Sequence, residues 1–465
     1  SSSSLVSPEK GVPSTISPLK LPTLPASNSS NYPTVILLGK PCGLNKTSGL
    51  IPLEVNGISF SPPKKQWAFL VYACSDHITG DLSDFLINQM YSFPDSGIEN
   101  NSYVAYQLSP SYKYYSSNSI ISYRLYLSQN KMIPAHRFYD SIKYGSAVNN
   151  GDPNHFSQFL NWSADVFPAE HYAIIFSGHG SGAFSILRAP SKVIAYDDYP
   201  YDFIDLIELK NLLNNFKLKT SKNIDIFTFD ACNMAMFEVA YQIKDYCNYI
   251  VASEATVIGQ GIDMNIFGKK LSSLGTLSTP LNVAKTFIDS YFEQPAIANN
   301  PYQDVTMSVI DTKYLEDTAN FLDEIAKGVV YSTTSEWNAF SNALWYADFY
   351  SFDRYGNPDY NSFTASYIDI FDFATLVNLQ LTSGNLKEKA ISLLSLKNSL
   401  IPYSLKKGTK YKYSNGISIF LPKFSSHWTN GNANSIQYSY MDFGLKHSWK
   451  IFLDMWAYYL KSIGY

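Results

Sequence analysis

Cysteine is scarce in this chain of 465 residues, which has only Cys42, Cys74, Cys232 and Cys247. A disulfide framework crowds many cysteines into a short chain, so such a scaffold is excluded, although Cys42 and Cys74 could pair. Charge is also thin. Charged residues make up 16%, and a net charge of −4 with pI near 6 supplies no basic surface for nucleic acid and no polybasic membrane anchor. No apolar run reaches about 18 residues, so no transmembrane helix is expected. No signal-peptide pattern is visible in the residues given. Residues 1–34 are rich in serine and carry Pro8, Pro13, Pro18, Pro22, Pro25 and Pro33, the composition of a linker or leader. A mature exported protein trimmed near its export signal begins this way, as does a disordered cytosolic tail. Export, secreted or lipid-anchored at the cell surface, is the expectation.

What is abundant is apolar and aromatic. Hydrophobic residues reach 45% and aromatics 15%, with 36 Tyr and 29 Phe, enough for a large core and a tyrosine-rich exterior. That exterior is either ordinary surface or a platform for peptide or glycan. Strand-like runs at 67–74, 103–108, 122–127, 172–177, 224–229, 249–253 and 305–310 alternate with helical patterns, for example Leu206, Leu209, Leu212, Leu213 and Phe216. This alternation predicts an α/β fold with a mostly parallel sheet covered by helices on both faces. The pattern changes near 331, so the expected organisation is a leader (1–34), a short extension (35–65), a catalytic domain (66–330) and a C-terminal subdomain (331–465). Whether the strand at 416–421 joins the main sheet is left open.

Two apolar runs end in residues that carry chemistry. Tyr172-Ala-Ile-Ile-Phe-Ser-Gly-His-Gly180 ends in a glycine-flanked histidine, His179, and Ile224-Asp-Ile-Phe-Thr-Phe-Asp-Ala-Cys232 ends in a cysteine. A thiol needs an imidazole beside it to act as a nucleophile near neutral pH. Neighbouring parallel strands would deliver the pair from their C-terminal ends, where ligands of such sheets bind. His179 lies 53 residues before Cys232, close to the spacing of about 50 in caspase-type signatures. A helix with Met236, Val239, Ala240 and Ile243 in its apolar stripe is expected to follow the second strand directly, placing the Cys232 thiolate at a helix N-terminus. Asp230 reads either as the cap of that helix or as part of the site. Cys247 reads as core within the helical pattern. His77, His136, His155, His171, His427 and His447 lack such a setting and read as surface or satisfied core. Residues 178–183 imitate a dinucleotide fingerprint, but the 195–202 stretch reads as loop, so the required helix is missing.

The segments Ser177-Gly-His-Gly180 and Asp230-Ala-Cys232 resemble the two active-site segments of clostripain-type cysteine peptidases, relatives of gingipain, legumain and caspase. Trp67–Tyr72, Tyr249–Glu254, Tyr367–Ala374 and Gly416–Pro422 resemble further family segments in the same order. The resemblance implies a caspase-like three-layer sandwich and a Cys232/His179 dyad, with the Gly180 and Cys232 N–H groups as the oxyanion hole. It also implies that Asp230 lies in a pocket that selects Arg or Lys before the scissile bond. No second acidic residue stands out there; Asp263 is a guess. Activation by self-cleavage is expected in the 184–202 loop, after Lys192 with Arg188 as second choice, while a leader carrying Lys20 would alternatively occupy the cleft. The family's first strand often leads into an Asp-Asn-type turn, whereas here it runs Ala73-Cys-Ser-Asp-His77, leaving the part of Asp76 open. No cofactor or resident metal is expected. Calcium activation would fall to Asp197, Asp198 and Asp202, which lack a recognisable loop spacing and read as a solvated acidic loop. The expected partner is a peptide or protein substrate, and the expected oligomeric state is a monomer. The competing reading is a catalytically silent surface protein of the same fold that binds peptide or glycan.

Overall fold

The computed structural model describes residues 53–55, 58–60, 62–75, 82–110, 120–139, 149–184, 194–198, 201–429 and 435–465. A short hairpin of β1 (Leu53–Val55) and β2 (Ile58–Phe60) precedes the first long strand, β3 (Lys65–Cys74). In β3 the alternate residues Trp67, Phe69, Val71 and Ala73 enter one apolar cluster and Ala68, Leu70, Tyr72 and Cys74 enter another. Both faces are buried, which is why the strand reads as an unbroken apolar run rather than an alternating one.

Eight further strands complete this sheet. They are β4 (Ser102–Ser109), β5 (Ile120–Ser128), β6 (Lys131–Tyr139), β7 (Ala169–Ser177), β10 (Ile224–Asp230), β11 (Cys247–Ala252), β12 (Val305–Asp311) and β14 (Tyr403–Lys407). Their order is β14-β12-β11-β10-β7-β3-β4-β5-β6. The five central strands, β11 to β4, run parallel, and each flank adds two strands antiparallel to its neighbour. The remaining strands form small sheets: β8 (Ile194–Asp198) with β9 (Tyr201–Ile204), and β13 (Tyr367–Asp369) with β15 (Ser418–Phe420). Residues 195–198 and 201–202 therefore lie in two paired antiparallel strands rather than in the expected loop, and the 416–421 run pairs with β13 outside the main sheet. β14, which the sequence reading did not anticipate, takes that edge position instead.

Helices cover both faces. The helices at 83–91, 264–274 and 280–293 send Phe85, Leu86, Phe267, Phe287 and Ile288 into one cluster, and those at 153–166, 206–220 and 315–330 pack into the other. Their starts are chemically marked. Asp152 accepts from the Asn154 N–H ahead of a helix opening on Pro153, and Asp205 and Glu208 form a reciprocal capping box. Residues beyond 331 contribute β14 to the sheet and share the second cluster, through Phe340, Phe371, Phe420, Trp449 and Trp456, with Tyr72, Ile174 and Phe229. Within this aromatic region Lys423 is wholly buried. Its Nζ lies 4.1 Å from the Phe349 ring centre and 5.3 Å from that of Trp345, and donates to the Trp345 carbonyl at 3.3 Å. Burial pushes this ammonium down to about 7.

Candidate active site

β7 and β10 are hydrogen-bonded parallel neighbours, and Ser177 is the register partner of Asp230. The Gly178 N–H donates to the Asp230 carbonyl at 3.3 Å and extends the ladder past the last pair. His179 and Cys232 each follow their strand by two residues, so the topology brings them to the same edge of the sheet. His179 is 7% exposed and Cys232 2%. Gly180 packs directly on the cysteine turn. A Cβ at that position would lie 2.7 Å from the Cys232 carbonyl oxygen and 3.0 Å from Ala231 Cβ, so the approach of the two turns requires glycine.

The expectation that a helix begins at Cys232 is not met. Residues 231–236 form a turn, Asn233 sits at φ 60°, and the helix starts only at Phe237 and ends at Ile243. Met236 and Val239 continue the apolar periodicity because the turn itself is buried, which hid the break from the pattern. The thiol is therefore five residues ahead of a two-turn helix, and a helix dipole cannot activate it. What holds the turn is backbone: the Asn233 and Ala235 N–H groups donate to the Ala255 and Ser253 carbonyls, both at 3.0 Å. The Ser418 N–H donates to the Ala235 carbonyl at 2.9 Å, and Tyr367 Oη donates to the Ser181 carbonyl at 2.7 Å. β13 and β15 thus brace both turns from the C-terminal third.

The segment after β11 was missed from sequence and lies over the site. The Val257 N–H points at Cys232 Sγ at 3.4 Å, and the Ile262 N–H donates to Asp230 Oδ2 at 3.2 Å. Asp230 is fully buried. Its Oδ2 also accepts from Gln89 Nε2 at 2.6 Å, with Ser177 Oγ at 3.4 Å. Gly261 (φ +64°) lies so close that a Cβ there would overlap Oδ2. Asp230 is thus no helix cap; its carboxylate accepts from Gln89 and the Ile262 N–H instead. The one sequence signal for this segment was the Gly259-Gln-Gly261 spacing; Gln89 comes from a helix 141 residues away and had none. Tyr291 is fully buried, its Oη accepting from the Ile258 N–H of the same segment at 3.2 Å. Burial, reinforced by Asp230 and Cys232, raises its phenol pKa far above the usual range and keeps it protonated.

Other expectations are corrected. Asp263 caps the 264–274 helix, its Oδ1 accepting from the Asn265 and Ile266 N–H groups at 3.0 and 2.9 Å, rather than joining Asp230. Cys247 opens β11 instead of lying in a helix; it is fully buried, and burial drives its thiol pKa well up. His171 pairs with Asp225, and His447 lies between Asp323 and Glu316 at 2.5 and 2.9 Å, so both are satisfied histidines as expected. Lys192, Arg188, Lys20, Asp76, His77 and Cys42, and the side chains of Asp197 and Asp198, lie outside the described residues. Asp202 accepts from Asn149 Nδ2 at 2.6 Å. Among the described residues no group of three or more His, Cys, Asp or Glu side chains is arranged to hold a metal ion.

The clostripain family's sequence pattern matches residues 105–456. The chain belongs to that family of cysteine peptidases. Clostripain of Hathewaya histolytica is 25% identical over 320 residues, a match spanning 61% of this chain and 60% of that protein. A secreted C11 cysteine protease from Bacteroides thetaiotaomicron, solved with an irreversible peptide inhibitor, superposes with TM-score 0.54 at 14% identity, covering 77% of this chain and 93% of that one. An inactive zymogen C11 protease from Parabacteroides distasonis gives TM-score 0.55 at 16% identity, covering 82% and 98%. At these identities the superpositions establish the fold, a caspase-like sandwich of a large sheet between helical layers. Among the described residues of this clostripain-family chain, no helix is long and apolar enough to cross a membrane.

Proposed function

We propose that this chain is an endopeptidase that cleaves after arginine or lysine through a Cys232/His179 dyad. The observation that supports the reading is the Ser177–Asp230 register, because His179 and Cys232 each follow that pair by two residues at the carboxyl ends of two parallel strands. Cys232 attacks the scissile carbonyl, and His179 takes the thiol proton and returns it to the leaving amine, so protons balance over acylation. The Gly180 and Cys232 N–H groups stabilise the oxyanion. Asp230 receives the basic side chain of the substrate.

Both dyad residues are nearly buried, and Gly180 bridges to Ile194 in the segment between the catalytic strands. This favours a latent form in which the bridge from Ile194 ties down the oxyanion site ahead of cleavage within 184–202. Cleavage there, after Lys192 or Arg188, would release it. The secreted bacterial C11 protease of like fold supports export for this chain too.

The test is hydrolysis of fluorogenic peptides ending in Arg, Lys, Asp or Asn, before and after limited proteolysis. Cleavage after Arg or Lys that vanishes in Cys232→Ala supports the reading. Cleavage after another residue removes the role of Asp230. Silence on all four after proteolysis moves the reading to a binding protein of the same fold.

A further inference from the structure

The Asp230 carboxylate is held unequally. Gln89 Nε2 donates to Oδ2 at 2.6 Å and to the Ile262 carbonyl at 3.0 Å, while the Ile262 N–H donates to the same Oδ2 at 3.2 Å. Ser177 Oγ stands 3.0 Å from Gln89 Oε1 and 3.4 Å from Oδ2, and its single proton serves one of them at a time. The amide orientation of Gln89 is dictated by these partners. Its nitrogen faces a carboxylate and a carbonyl, its oxygen a hydroxyl, and a flipped amide would oppose oxygen to oxygen. Gln294 Nε2 fixes the covering turn by donating to the Gly261 carbonyl at 2.6 Å. Gly261 seals the same oxygen from above, since any side chain there would overlap it.

A carboxylate oxygen has two lone pairs. Those of Oδ2 are taken by protein donors, so at most one oxygen of Asp230 can meet a substrate cation. A guanidinium gains its advantage from a fork-on-fork match to both oxygens, whereas an ammonium is a point charge that needs one. We propose that Gln89 is a specificity-positioning residue which occupies Oδ2 of Asp230 and makes this pocket favour lysine over arginine. The proposal rests on the reading that Asp230 receives a basic side chain, and deepens it. Gln89 touches no substrate; it acts through the carboxylate.

The experiment compares kcat/KM for paired peptide substrates that differ only in Lys or Arg before the scissile bond, using the full chain before and after limited proteolysis. The wild type is expected to favour Lys about tenfold, the worth of one charge-assisted hydrogen bond denied to Arg. Gln89→Met removes the donor at nearly constant volume and should bring the ratio to about one by raising the Arg rate. Ser177→Ala should move it in the same direction by less. A purely structural role for Gln89 would lower both rates together and leave the ratio alone, which overturns the proposal. A wild-type preference for Arg overturns it without any variant. Cleavage after neither Lys nor Arg, with another residue accepted, removes the basic pocket itself and is distinguishable from both.

Discussion

Replacing Lys423 by Met should stabilise the protein near neutral pH and change how its stability responds to pH. The ammonium is wholly buried among Phe349, Trp345 and Tyr360, with the Trp345 carbonyl as its hydrogen-bond acceptor. Its pKa falls from 10.5 in the unfolded chain to about 7 in the native one. Below about 7 both states hold the proton and the burial cost is complete. As pH rises from about 7 toward 10.5 the unfolded state binds more protons than the native state, so stability climbs. At pH 7 the linkage amounts to about 4 kcal/mol against Lys423, from which about 1 kcal/mol is deducted for the lost hydrogen bond. Methionine fills the same space with a soft sulfur that suits aromatic rings, leaving a net gain of about 3 kcal/mol. Between pH 7 and 9 the wild type should recover about 2 kcal/mol of this gap. Urea unfolding followed by tryptophan fluorescence at several pH values measures it. His427 is the titrating neighbour that feels the Lys423 charge, so the pH range should start above 7. A gap between wild type and variant that stays constant from pH 7 to 9 would refute the reasoning, because Lys423 would then remain charged throughout.

Three further outcomes are expected. After limited proteolysis, iodoacetamide should label Cys232 well before the buried Cys247, and Cys232→Ala should lose peptide hydrolysis while keeping its circular dichroism; equal labelling of the two thiols would remove the nucleophile assignment. Gly180→Ala should cut kcat by about 10² to 10³ with KM little changed, because the added methyl collides with the Cys232 carbonyl and shifts the N–H groups proposed to hold the oxyanion. Glu238 is fully buried, and burial lifts its pKa to about 7 despite hydrogen bonds from the Phe420 N–H and Tyr438 Oη. Its contribution is complete below the unfolded value of 4.5 and is lost as pH rises through about 7, so Glu238→Gln should remove about 3 kcal/mol of acid-side stabilisation from the pH profile of the melting midpoint.

The strands that end just before His179 and Cys232 were legible because burial on both faces makes their composition unmistakable, and the flanking glycines marked where the first one stops. The expectation that the strands ahead of His179 and Cys232 are parallel neighbours is met by the pairing of β7 with β10. Periodicity failed where burial is continuous across an element boundary: the turn at 231–236 is as apolar as the helix behind it, and the Cys247 strand follows that helix after only a few residues. The β8–β9 pairing was hidden by Asp and Tyr residues that break strict alternation. Gln89, Gly261 and Gln294 are joined to the site by tertiary contacts, and a glutamine on a short helix carries no local sign of a partner more than a hundred positions away. The hydrogen-bond shell of Asp230 therefore became visible only once the sheet had assembled around it.

The two outermost strands bear on self-association. An open edge is a template for a foreign strand, and a sheet of nine strands has two. β6 carries Pro134, which offers no N–H, and opens with Lys131. β14 ends in Lys406 and Lys407, whose ammonium groups reach the Ser414 and Ile297 carbonyls. A neighbour adding to the first edge would meet a missing donor, and one adding to the second would have to desolvate two cations. Each edge thus presents a device against strand addition in place of a bare row of unpaired backbone groups.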